Sequence, residues 1–169
     1  MSDAIDTVRE ARNLLERIAA KLPGFRGYLE RELRRETDQS LREGLAGRLD
    51  ACRDRVSGYT RGLSLGSGGE LQRARALDLA LDAAAVALRH AGSGYAGYFD
   101  AFKVGEEQLA ELYHHDLGLV ESVEAIEAVS AALGERGEAL SHLESAVSGI
   151  RAQIDSRPGV VRSAFGEAR

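Results

Sequence analysis

Between Leu45 and Leu63 the apolar residues Leu45, Leu49, Cys52, Val56, Tyr59 and Leu63 are spaced 4, 3, 4, 3, 4. The same rhythm returns in Leu109, Leu112, Leu119, Val123, Ile126 and Leu133, and again in Leu140, Leu143, Val147, Ile150 and Ile154. On an α-helix such spacing collects one apolar stripe, and a stripe held over several turns must be buried against other helices. Strands would require alternation with a period of two, which appears nowhere in the chain. The spacing therefore predicts an all-α, up-and-down antiparallel bundle of about five helices with coiled-coil-like seams. Their expected spans are about 4–21, 26–63, 69–90, 105–133 and 138–156, in one domain covering residues 1–169.

Local signals support those bounds. Asp3 reads as an N-cap for a first helix with Ile5, Val8, Leu15, Ile18 and Leu22 on its apolar stripe, and Pro23-Gly24 ends it. Leu65-Gly66-Ser67-Gly68-Gly69-Glu70 reads as a turn leading into a capping box, with Ser67 as N-cap and Glu70 three residues on. The third helix, with Leu77, Leu79, Leu81, Val86, Leu88 and many alanines, reads as apolar around most of its circumference and sandwiched between neighbours. Gly134-Glu135-Arg136-Gly137 reads as a tight turn, and Pro158-Gly159 as the stop of the last helix, after which Val161 and Phe165 offer a docking tail.

The formal charge of −5 conceals a polarised distribution. Nine arginines face seven acids from Arg26 to Arg61, whereas eleven acids face two arginines from Gly105 to Asp155. Helices of opposite sign would pair within the bundle or meet a charged partner; solvated faces kept apart for solubility are the plainer reading. With a pI near 5.5 and no basic stripe with interleaved aromatics, nucleic acid is not an expected partner. A lone cysteine, Cys52, gives no intramolecular disulfide and no zinc-ligand spacing, and on a seam it reads as a small core residue. The start of the chain shows no signal-peptide pattern and no stretch reaches the roughly 20 apolar residues of a transmembrane helix, so a cytoplasmic location is expected.

Chemistry-bearing patterns are sparse. Glu111-Leu112-Tyr113-His114 places a carboxylate and an imidazole three apart, the spacing used in di-iron bundles. Only one copy is present, which makes Glu111, His114 and Asp116 weak metal candidates beside the simpler reading of polar residues flanking a seam. No cofactor is expected and no catalytic residue is assigned. His114-His115-Asp116 lacks the nearby nucleophile that acid–base catalysis on a triad pattern would need. Asp116 falls in seam register, where a carboxylate is costly unless paired, and an arginine from Arg26–Arg35 is the expected partner.

Two segments break the amphipathic pattern: the arginine-rich run with Arg26, Arg31, Arg34 and Arg35, and the glycine-spaced aromatic run with Tyr95, Tyr98, Phe99 and Phe102. These eight are the expected partner-binding residues, for a protein partner or self-association, although a cap on the core is the plainer reading of the aromatic run. The expected function is that of a non-catalytic helical adaptor or scaffold. A metal-binding bundle and a peripheral membrane-stress protein lying on lipid through its first helix are the alternatives.

Leu22-Pro-Gly-Phe-Arg-Gly-Tyr-Leu-Glu-Arg-Glu-Leu-Arg-Arg-Glu-Thr-Asp38 and Tyr95-Ala-Gly-Tyr-Phe-Asp-Ala-Phe-Lys-Val-Gly-Glu-Glu-Gln-Leu109, with the Leu112–Glu121 segment, resemble a prokaryotic family of small helical-bundle proteins loosely associated with genes for SPFH-type membrane scaffolds. The resemblance covers a third to a half of the chain. It implies partner binding near a membrane and assigns no activity and no site residues.

Overall fold

The computed structural model describes residues 2–30, 33–64, 66–91, 106–135 and 138–165. Among them the chain forms five helices, α1 (Ser2–Lys21), α2 (Arg34–Gly62), α3 (Gly68–His90), α4 (Glu106–Ala131) and α5 (Ala139–Phe165), and no strand. All-α bundle packing is therefore the fold. The seams lie where the spacing places them: Leu45, Leu49, Val56, Leu119, Val123, Ile126, Leu143 and Ile150 are fully buried in one continuous core.

Helix directions follow from the pairs between neighbours. α2 and α3 form an antiparallel hairpin, with Arg53 Nη1 2.5 Å from Asp82 and Arg42 donating to the Arg89 carbonyl at 2.8 Å. α4 and α5 form a second, joined by Ser122 to Gln153 at 3.0 Å and His115 to Ser156 at 3.1 Å. The hairpins pack side by side, so that α2 runs along α4 and α3 along α5, and successive helices α3 and α4 occupy opposite corners. Helix α1 lies on α4 and runs in the same direction: Glu10 pairs with His114, Arg17 with Glu121 and Lys21 with Glu124. The charge polarity of the sequence is thus spent partly inside the bundle, where Arg48 of α2 grips Glu127 of α4 through two hydrogen bonds of 2.9 and 2.5 Å. Most of these pairs are half-exposed, and each contributes about 1 kcal/mol or less.

Several expected boundaries move. The second helix begins at Arg34 rather than 26, because α1 and α2 point the same way and residues between them must travel back along the bundle. Gly24 and Gly27 make this return with φ of +91° and +79°, the left-handed region that residues with a Cβ rarely adopt. The last helix continues through Pro158 to Phe165 instead of stopping. A proline inside a helix costs about 3 kcal/mol, and burial of Val161, Ala164 and Phe165 beyond it offsets that penalty. Asp3 lies inside the first turn of α1 rather than ahead of it. Ser67 does occupy the N-cap position of α3 but makes no side-chain cap bond, and Glu70 accepts instead from the Tyr59 hydroxyl. Leu14 and Ile18 of α1, and Leu22 just after it, are buried while Val8, expected on the stripe, is 43% exposed. Gly134, at φ of +86°, turns the chain after α4 as expected, while Arg136 and Gly137 of the same expected turn lie outside the described residues.

Cys52 is fully buried, and burial raises its thiol pKa above the usual value. It should therefore resist a thiol-specific chromogenic reagent in the folded protein and react stoichiometrically once urea unfolds the chain. Full labelling under native conditions would contradict this packing.

Candidate functional site

Two places depart from simple seam packing: a sealed charged node inside one end of the bundle, and an uncovered apolar face outside it. The node is built around Arg157, the largest fully buried side chain among the described residues. Its Nε donates to Asp116 Oδ1 at 2.8 Å and Nη2 to Oδ2 at 3.1 Å, the two-pronged geometry that suits guanidinium and carboxylate. Nη1 donates to Asp38 Oδ1 at 2.6 Å, and Nη2 also reaches the Tyr28 hydroxyl at 3.0 Å. Tyr28 passes its own proton toward Asp116 Oδ2 at 2.7 Å. The second oxygen of Asp38 accepts from Arg42 Nε at 2.8 Å. Two carboxylates are thereby balanced by two guanidinium groups, each oxygen holding at least one donor.

The segment between α1 and α2 is fastened to this node. Tyr28 N–H donates to the Tyr113 hydroxyl at 2.8 Å, and its carbonyl accepts from Arg34 Nε at 2.7 Å. The rings of Tyr28 and Tyr113 stack at 5.7 Å, Phe25 and Phe165 meet Tyr28 edge-on, and the Arg34 guanidinium lies 5.2 Å from the centre of the Phe165 ring. Asp116 is indeed a paired seam carboxylate, but its partner is Arg157 of α5, not an arginine from Arg26–Arg35. The reason is the continuation of α5 through Pro158, which keeps Arg157 on the inward face. Arg34, expected on a docking surface, is buried and supports Tyr28. Arg26 and Arg35 are exposed. Arg31, Tyr95, Tyr98, Phe99 and Phe102 lie outside the described residues.

Burial by itself would raise the Asp116 pKa, yet the charge of Arg157, the His115 ring 3.8 Å away and the hydrogen bonds from Arg157 and Tyr28 outweigh it and hold the carboxyl below its ordinary 3.8. For Arg157, burial pulls the other way, and Asp116, Tyr28 and Asp38 keep the guanidinium charged. A carboxyl depressed on folding contributes stability above its unfolded pKa and loses it as pH falls below that value. Asp116→Asn is therefore expected to lower stability at about pH 7, with the gap to wild type narrowing below about pH 4 as both proteins come to carry a neutral group. Urea titrations across that range measure it; an unchanging gap would contradict the pairing.

The metal candidates do not converge. Asp116 faces the core, whereas Glu111 is exposed and His114, more than half exposed, pairs with Glu10 at 2.8 Å. No cluster of three or more ligand-type side chains able to hold a metal occurs among the described residues.

The second place was masked in sequence by the alanines of α3. Ala74, Leu77, Leu81, Ala84, Ala85 and Leu88 form its buried stripe. A separate stripe faces outward: Leu79 is 69% exposed and Val86 43%, with exposed alanines at 76, 80 and 83. The expectation that α3 is covered on most sides is thus corrected, because alanine reads as apolar while tolerating either environment. Beside this face, α3 and α5 leave a groove of about 630 Å³ whose walls include Ala80, Val147 and Ala152. The Arg73–Glu144 and Arg151–Asp155 pairs also line it. No described helix is long and apolar enough to cross a membrane. Compared with known proteins, the chain matches no family model, no curated relative and no solved structure, so the functional reading rests on this geometry.

Proposed function

We propose that the chain is a non-catalytic helical scaffold that acts by protein–protein interaction, presenting the outward face of α3 to a helix of a partner. The observation that carries this is Leu79, two-thirds exposed at the centre of an apolar stripe, on a protein whose remaining helix surfaces are dense with charge. A leucine and a valine set among alanines on a straight helix form the shallow, close-approach surface against which an amphipathic helix docks. The sealed node supports the same reading from inside. It fixes α2, α4 and α5 and the segment carrying Tyr28 to one another, so that the outer faces are displayed on a stiff body.

Photo-crosslinking in the native cell tests it, with a photoreactive amino acid placed at Ala83. Discrete conjugates are expected from that position, absent when Leu79→Lys is added and absent when the probe sits at Arg12 on α1. Conjugates indifferent to Leu79→Lys would overturn the reading.

A further inference from the structure

The geometry points to a second copy of this chain as an occupant of the α3 face, in an antiparallel α3–α3 pair; this rests on the scaffold reading and names its partner. The outward stripe runs Gly69, Gln72, Ala76, Leu79, Ala83 and Val86, spaced 3, 4, 3, 4, 3. Placed against itself about a two-fold axis midway between Ala76 and Leu79, it sets every larger residue opposite a small one. Leu79 meets the partner's Ala76, Val86 meets the partner's Gly69, and Gln72 meets the partner's Ala83. Alternation of this kind lets two helices approach closely without voids or clashes.

Charge fixes the register. In this arrangement Arg75, on the flank of the stripe, meets the partner's Asp82, and by symmetry the contact occurs twice. Arg75 is exposed and makes no ion pair among the described residues, while Asp82 remains 46% exposed beside its contact with Arg53. Sliding the pair so that the axis lies at Leu81 keeps large against small but sets Arg75 against the partner's Arg89 and Asp82 against the partner's Asp82. Like charges in both flank positions disfavour that alternative. The stripe spans about 26 Å of helix at 1.5 Å per residue. A contact of one helix per copy falls at the small end of specific interfaces, so the dimer should dissociate at roughly 10–100 µM.

Sedimentation equilibrium of the full chain provides the test. A concentration-dependent doubling of mass is expected in that range. Leu79→Glu should abolish it with the circular dichroism spectrum unchanged and Tm little altered, since Leu79 is 69% exposed and only borders the shallow groove beside Val56 and Thr60. Arg75→Asp should weaken association about tenfold, and adding Asp82→Arg should restore it, with Arg53→Ala added to every arm so that the intramolecular Arg53–Asp82 contact is absent throughout and circular dichroism confirming that each variant is folded; a merely structural role would not produce that rescue. A chain that remains monomeric throughout, a Leu79→Glu variant that still dimerises, or a charge swap that fails to rescue would overturn the proposal. If the chain is monomeric while Ala83 still crosslinks to a different protein, the second copy is wrong and the scaffold reading stands; if the crosslinks too ignore Leu79, both fall.

Discussion

Arg157→Ala is expected to destabilise the protein by about 3–5 kcal/mol, more than any surface substitution, and to leave it partly unfolded at room temperature if its total stability is at the lower end for a domain of this size. The magnitude comes from what stays behind. Asp116, 0% exposed, loses its guanidinium partner and keeps only the Tyr28 hydroxyl as a donor, while Asp38, 2% exposed, keeps Arg42 on one oxygen and loses the donor on the other. Chemical denaturation followed by circular dichroism measures the loss. Because that loss belongs to orphaned charge and not to volume alone, Asp38→Asn and Asp116→Asn added to Arg157→Ala should recover part of it. A triple variant no more stable than Arg157→Ala would show that the node acts only by filling space.

Gly27→Ala is the second large effect. At φ of +79° any Cβ is strained by about 1–3 kcal/mol. Here the added carbon would also lie 2.7 Å from both the Tyr113 hydroxyl and Leu15 Cδ1. Leu15 can rotate away, but the Tyr113 hydroxyl is held by the Tyr28 N–H, so relief requires breaking that bond. A loss of roughly 2–4 kcal/mol is expected from strain and overpacking together, with quenched or shifted tyrosine fluorescence reporting the displaced Tyr28–Tyr113 stack. Gly24, with φ of +91° and open space where a Cβ would stand, offers the internal comparison: Gly24→Ala should lose only the backbone share. Equal effects at both positions would contradict the tight approach at Gly27.

These two predictions fall where sequence reading reached least far, for a physical reason. The seams were legible because leucine spacing is local: Leu45 to Val56, Leu119 to Ile126 and Leu140 to Ile154 declare their shared faces without reference to the rest of the chain. Asp116 was likewise legible as a carboxylate that needs a cation. Its partner was not, because Arg157 sits beside Pro158, and a proline read locally ends a helix; only burial of Val161 and Phe165 further on carries α5 through. The segment around Tyr28 was read as helix because its charge density resembles a solvated helix face. Its positive-φ glycines become necessary only once α1 and α2 are known to run in the same direction. The outward stripe of α3 hid behind its alanines, which satisfy a core and a surface equally well.

A charged arginine sealed among helices α2, α4 and α5 and the segment that bears Tyr28 is the feature on which the fold depends most. Nitrogen-edited NMR of the arginine Nε–H groups addresses it directly. One resonance, assigned to Arg157 by its loss in Arg157→Lys, should exchange with water far more slowly than those of exposed arginines such as Arg12 and Arg26, and should speed up in Asp116→Asn. Uniform, solvent-limited exchange at every arginine, with Asp116→Asn changing none of them, would contradict it.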